Sequence, residues 1–374
     1  MRHGKTPDIG ILDDPSVKTL PQALRAIVRR QPDRVAMRMK EYGIWHDITW
    51  RQYYENVKKT AMGLYALGVR RGDKVAIVGE NKPEWLYSAL GVMSVGATFV
   101  GVYTTNPAPE CEYVVGHSES VVFFCEDEEQ FDKALTFKDR TPSLRKAVVW
   151  DMEGLRHFDD PILMSFDDLL ALGEATNAEN PDLFELLVDD GEAGDIASII
   201  YTSGTTGPPK GAMIAHENYL WIARQTRKIT RMSAEDETIS FLPLNHVYEQ
   251  IFDLMMHLSV GHIVNFTENT DTVMNDLRDV SPTLFHAVPR IWEKYHSGIV
   301  LKMADATWFK RTVFNLAYTI GRRYNDHRLA KKPIPFFLNI AYWLAYLAVF
   351  RKLKERLGFD RVRLGFSGAA PISH

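Results

Sequence analysis

Four short apolar runs constrain the fold more than anything else in this chain: KVAIVG at Lys74–Gly79, ATFVGV at Ala97–Val102, SVVFFC at Ser120–Cys125 and IASIIYT at Ile196–Thr202. Each is bounded by Gly, Pro or charge and reads as a buried strand. Helical patterns lie between them. One follows Pro83, and another runs from Trp50 to Leu67, where Tyr54, Val57, Ala61 and Leu64 share a face and Gly68 supplies the stop. Strands alternating with helices at this spacing build mostly parallel sheets, because a parallel pair needs a crossover. The rhythm resumes in HIVNF at His262–Phe266 and TLFHA at Thr283–Ala287. The expected fold class is therefore α/β. The acidic, less regular stretch from Asp151 to Gly194 reads as a connection, which divides the chain into a first α/β subdomain over 1–190 and a second over 191–300.

Composition excludes several classes of function. The 374 residues carry a net charge of −4, so no global basic field advertises nucleic acid. Two cysteines, Cys111 and Cys125, supply neither a disulfide framework nor a zinc pattern, and a reducing cytoplasm fits them. The start, MRHGKTPDIGILDD, is polar where an export signal needs an apolar core, so no export is expected.

The chemistry is concentrated after the fourth run, in YTSGTTGPPKG at Tyr201–Gly211. Hydroxyls at Thr202, Ser203, Thr205 and Thr206 can donate to phosphate oxygens. Gly204 and Gly207 let backbone approach closely, and Lys210 adds charge. The stretch is not a mononucleotide P-loop: Lys210 is followed by Gly211 and Ala212, and Pro208 and Pro209 deny two amide donors. Composition alone equally describes a solvated turn.

The stretch resembles the phosphate-binding signature of the adenylate-forming (AMP-binding) superfamily. FLPLNHVYEQ at Phe241–Gln250, AVPRIWEKY at Ala287–Tyr295 and GFSGAAPIS at Gly365–Ser373 agree in order and spacing. The step from His246 to Glu249, together with VPRIWEK, is most similar to the long-chain fatty acyl-CoA synthetase branch. The resemblance implies the large N-terminal domain of such an enzyme, with two sheet-centred subdomains layered with helices. It implies activation of a long-chain fatty acid by ATP and Mg2+ to an acyl adenylate, then transfer to CoA. Thr202, Ser203, Gly204, Thr205, Thr206, Gly207 and Lys210 would hold the phosphates, with Lys210, Thr205 and His246 taking catalytic roles. His246 and Tyr248 would face the acyl carboxylate, Glu249 would help shape the nucleotide pocket, and Gly368, Ala369 and Ala370 would lie against adenine. On the residues alone His246 reads first as a hydrogen-bonded core histidine, and Glu249 and GFSGAAP have structural readings too, as a first-turn helix carboxylate and a packed connection.

Family elements that follow the Gly-Ala-Ala-Pro region, including the magnesium-binding stretch and the C-terminal domain with its lysine, have no counterpart in the 374 residues. The expectation is an N-terminal portion with little ligase activity by itself. The alternatives are a fatty acyl-AMP ligase serving a carrier protein, or a nucleotide- or lipid-binding module without turnover.

The segment 301–356 carries twelve Lys or Arg against three Asp or Glu, a local charge of +9 that leaves −13 for the rest. Within it, PIPFFLNIAYWLAYLAVF at Pro333–Phe350 lies between Lys331-Lys332 and Arg351-Lys352. Its clean apolar part is about fifteen residues, short of a bilayer span. A basic, aromatic helical insertion over 301–356 is expected, resting through residues 331–352 on the inner face of a membrane; the competing readings are a buried helix and a homodimer contact. Residues 357–374 then begin the adenine-binding region.

Overall fold

The computed structural model describes residues 10–202 and 207–371. They fall into two compact units, one up to Glu268 and one from Asn269. In chain order the strands of the first unit are β1 (Val35–Glu41), β2 (Ile44–Thr49), β3 (Lys74–Val78), β4 (Thr98–Val102), β5 (Ser120–Cys125) and β6 (Lys146–Val149). They continue with β7 (Leu163–Ser165), β8 (Ile196–Thr202), β9 (Lys210–Ala215), β10 (Glu237–Ser240) and β11 (Ile263–Phe266). Seven form one sheet in the order β7-β6-β5-β3-β4-β8-β9, parallel except where β9 runs against β8. The other four make a second sheet, β10-β11-β1-β2, antiparallel only at β1–β2.

The apolar runs become central strands because helices cover both faces of the large sheet, which leaves no side that a polar residue could use. In β5, Phe123 and Cys125 join a core with Phe131 and Phe137, while Phe124 meets Phe166 edge to face at 6.2 Å. Residues two apart share a face of the sheet, so this one strand feeds two cores.

The helix Trp50–Ala66 starts at Thr49, whose hydroxyl accepts from the Gln52 amide in a capping box, and it ends before Gly68 at φ +84°. Its buried face is centred on Tyr53, Val57, Ala61 and Leu64. Tyr54 sits at the margin rather than on that face, with its hydroxyl donating to Glu185. Against this helix lies the helix Phe166–Glu179, close enough that a Cβ at Gly173 would fall 1.8 Å from the Lys59 carbonyl oxygen. The two backbones touch, so any side chain at Gly173 would push them apart.

Two sequence expectations change here. The acidic stretch 151–194 is not an irregular connection: it holds β7 and the helices Phe166–Glu179 and Leu183–Asp189. Nor do the sheets divide at residue 190. Strand β8 pairs with β4 of the earlier segment, and β11 pairs with β1. Charge on the solvent faces of helices hid their periodicity.

In the second unit, β12 (Leu284–Ala287) pairs in parallel with β13 (Leu364–Ser367). The rings of Phe285, Trp292, Tyr295 and Phe359 cluster beside this pair. Helices follow over Pro289–Ala304 and Trp308–Leu329, and a continuous helical run extends over Phe336–Leu357. The basic segment is therefore helical, as its pattern predicts.

Candidate active site

Strand β8 carries Ile199 and Ile200 inside the sheet and emerges at Thr202, which is exposed. The chain returns along β9, with Tyr201 opposite Gly211 and Thr202 opposite Lys210. The phosphate-type stretch is thus the tip of an antiparallel hairpin, with the exposed Lys210 facing the last hydroxyl of β8. Gly207 has φ +99°, a conformation that strains any residue with a Cβ. Ser203, Gly204, Thr205 and Thr206 lie outside the described residues.

The base of the hairpin is clamped by aromatic residues that sequence reasoning missed. The Tyr113 hydroxyl donates to the Pro209 carbonyl at 2.9 Å, and the Tyr201 hydroxyl is 2.7 Å from His117 Nδ1. Burial pushes the Tyr201 hydroxyl up to about 12, so the phenol stays neutral. No local pattern marks Tyr113 or His117, because their partners are 96 and 84 residues away.

Beside the same end of the sheet lies the stretch from Phe241 to Gln250. A Cβ on Gly101 of β4 would come within 3.1 Å of the Asn245 Cα, tighter than ordinary contact, so the glycine lets Asn245 pack closely against the strand. Gly101 is the neighbour of Ile200, two residues before Thr202. Asn245 is buried, and its Oδ1 has no hydrogen-bond partner.

Two buried polar chains hold this loop. Asn81, just past β3, donates from Nδ2 to Ser240 Oγ at 2.8 Å and to the Leu242 carbonyl at 2.6 Å. Its Oδ1 accepts from the Leu244 amide at 3.0 Å. From the other side, Ser198 Oγ and the Tyr219 hydroxyl are 2.6 Å apart. Tyr219 donates to Gln250 Oε1 at 2.7 Å, and Gln250 Nε2 donates to the Leu244 carbonyl at 2.8 Å. Within these two chains each named link is made, and together they fix the loop on both sides of Asn245.

His246 caps the short helix Val247–Gln250, its Nδ1 accepting from the Tyr248 amide at 3.1 Å. That bond fixes the tautomer. Burial lowers the basicity of the ring, so the half-buried imidazole is neutral and its proton sits on Nε2, ready to donate to an oxygen. Tyr248 is half-buried with its ring edge-on to Phe252 at 5.8 Å, and burial pushes its hydroxyl up to about 12.

Glu249 is in the first helical turn, as its position suggests, but it faces inward. Fully buried, it accepts from the Phe241 and Leu242 amides, each at 3.2 Å, and so braces the loop from inside. Burial pushes its carboxyl up to about 8, against the lowering effect of the two amides and of Asp253. The helix then continues as a π-helical segment over Ile251–Met256, not as the regular helix its sequence suggests.

Gly368, Ala369 and Ala370 belong to the second unit, directly after β13. Ala369 has φ +65°, unusual for a residue with a Cβ. The preceding strand is held by Trp292, whose Nε1 donates to the Phe366 carbonyl at 3.0 Å. The structure thus brings together Thr202, Gly207 and Lys210 on the hairpin, and His246, Tyr248 and Glu249 on the neighbouring loop.

The chain has relatives in sequence and in fold. Residues 24–374 match the family of AMP-binding enzymes. A long-chain-fatty-acid–CoA ligase of Homo sapiens is 32% identical over 95% of this chain and 53% of its own length. A related ligase of Bos taurus is 30% identical over 95% of this chain and 49% of its own. The chain therefore spans about half the length of the curated relatives it matches. Among solved structures, an anthranilate CoA ligase bound to anthranoyl-AMP superposes with a TM-score of 0.63 at 25% identity, covering 75% of this chain and 51% of that one. The adenylation domain of a carboxylate reductase from Mycobacterium chelonae gives 0.68 at 20% identity, over 97% of this chain and 55% of that one.

Proposed function

Because this chain belongs to the AMP-binding enzyme family, we propose that it is the nucleotide- and acyl-binding part of a long-chain fatty acid–CoA ligase. The observation that carries the reading is the hairpin closed by Thr202 and Lys210 at the end of β8, beside the braced loop that presents His246.

In the first half-reaction a fatty acyl carboxylate oxygen attacks the α-phosphorus of ATP. A new P–O bond forms as the bond to pyrophosphate breaks, and negative charge moves onto the leaving group. Lys210 and the Thr202 hydroxyl meet that charge from the hairpin. The remaining hydroxyls of the tip, Ser203, Thr205 and Thr206, add donors, while Gly204 and Gly207 allow close approach. His246, neutral with a proton on Nε2, donates to an acyl or phosphoryl oxygen without adding net charge, and Tyr248 walls the same side. Gly368, Ala369 and Ala370 leave room for a flat adenine ring. In the second half-reaction the sulfur of CoA attacks the acyl carbon and AMP leaves. Mg2+ accompanies the ATP and screens its phosphates; Glu249 serves the nucleotide by shaping the loop.

The reaction is assigned to the cytoplasm, which suits the two buried free thiols, Cys111 and Cys125. The test is isotope exchange between pyrophosphate and ATP with palmitate, on the full-length polypeptide. Palmitate-dependent exchange lost in Lys210→Ala and His246→Ala supports the reading. If exchange occurs but the acyl group passes only to a carrier protein and never to CoA, the enzyme is an acyl-AMP ligase. Tight nucleotide binding without exchange would make it a binding module.

A further inference from the structure

The second unit carries an apolar face of its own. The helical run Phe336–Leu357 has 22 residues and is 6% buried over its most apolar window. One side is occupied. Tyr342 stacks on Tyr324 of the helix Trp308–Leu329 at 3.9 Å, and Phe350 lies over Gly321, where a Cβ would come within 2.8 Å of its ring. The opposite side is Phe336, Phe337, Ile340, Trp343, Leu344 and Leu347, spaced as one helical stripe and 42–83% exposed.

The charge around the stripe selects its occupant. Lys331 and Lys332 precede it, Arg351 and Lys352 follow it, and all four are exposed. On the paired helix, Lys310, Arg311, Arg322, Arg323 and Arg328 are exposed as well. A second copy docked symmetrically would set this cationic patch against itself. A bilayer span fails on length: residues 336–350, before the cationic end, reach about 22 Å at 1.5 Å per residue, against about 30 Å of hydrocarbon. Spanning would also drag Arg322 and Arg323 inward with Tyr324.

We propose that the stripe from Phe336 to Leu347 is a lipid-docking face. It lies flat in the headgroup region of an anionic leaflet, with Phe337, Trp343 and Leu344 inserted and Lys331, Lys332, Arg351 and Lys352 on lipid phosphates or carboxylates. This inference is independent of the adenylation reading, because it concerns a different surface and is read without turnover.

The experiment uses the full-length polypeptide and vesicles of phosphatidylcholine, alone or mixed with phosphatidylglycerol. An environment-sensitive dye is placed on Leu344→Cys; Cys111 and Cys125 are buried, and any other cysteine of the polypeptide that labels in the parent is first replaced by serine. The expected result is co-sedimentation with the anionic vesicles, with a blue shift of the dye. Reversing Lys331, Lys332, Arg351 and Lys352 to Glu should weaken binding by more than about a hundredfold. Trp343→Ser with Phe337→Ser should abolish the residual binding at high salt, where only insertion holds the protein. Several outcomes overturn the proposal: no binding by folded protein, binding with an unshifted dye, a dye already shielded in the lipid-free polypeptide, or a blue shift that follows protein concentration instead of lipid.

Discussion

The hairpin at residues 202–210 and the loop at 241–250 sit at the same end of one sheet, yet they are built on opposite plans. Among the described residues, the hairpin presents exposed groups, Thr202 and Lys210, and is held at its base by Tyr113, His117 and Tyr201. The loop is anchored from within by Asn81, Gln250 and Glu249, with His246 and Tyr248 left half-buried at its surface. Under the proposed function, a group that follows a departing pyrophosphate would gain from freedom, whereas one that orients an attacking carboxylate would gain from rigidity. Substitutions in the loop should therefore cost stability first, and those in the hairpin should cost turnover first.

The sharpest attempt to break this contrast is Asn81→Leu. It strands the Leu244 amide and the Leu242 carbonyl inside the protein, and buried unpaired groups cost about 1–3 kcal/mol each, so a loss of about 3 kcal/mol is expected. Urea denaturation measures it. A loss below about 1 kcal/mol would mean that the loop is not anchored as described.

Lys210→Ala comes next and should do the reverse. As an exposed residue it should leave the denaturation midpoint within about 0.5 kcal/mol of the parent, yet pyrophosphate–ATP exchange by the full-length polypeptide should fall about a hundredfold, or about 2.7 kcal/mol in the barrier. A large stability loss with little change in exchange would erase the distinction between the two regions.

Glu249 gives the loop a pH dependence of its own near neutrality. The unfolded chain ionises this carboxyl near the ordinary 4.5, whereas the folded protein keeps its proton up to about 8. The native state thus binds more protons between those limits, and stability must fall as pH rises through them and level off above the upper one. The slope for one proton is about 1.4 kcal/mol per pH unit, so the loss between pH 6 and 8 should be about 2 kcal/mol. Glu249→Gln should flatten that part of the stability profile. An unchanged profile would place the proton elsewhere.

How much of this was legible in the sequence follows from where each partner lies. Runs such as SVVFFC and IASIIYT announced their strands because burial on both faces demands continuous apolar residues. Strand β9, reading KGAMIA, is a largely exposed edge with no such demand, so the loop could be placed after β8 but its return could not. His246 and the hairpin residues stood out through a local motif. Asn81 did not: its partners at Ser240 and Leu242 are 159 and 161 residues away, and an asparagine after a strand ordinarily reads as a turn. Motifs pointed to the candidate ligand groups, and the groups that hold them emerged only when distant segments were brought together.

The smallest expected effect tests the hairpin's own anchor. Tyr113→Phe removes the hydrogen bond to the Pro209 carbonyl but keeps the ring against His117 and Tyr201, at 5.2 and 6.2 Å. Because that carbonyl can turn to water, the stability cost should be about 0.5–1 kcal/mol. What should change is order at the hairpin base: amide exchange at Lys210 and Gly211 should quicken, while that of Gln250 stays as in the parent. If exchange quickened equally at both places, the hairpin and the loop would open as one unit, and a shared rigid frame would replace the division between the two anchors.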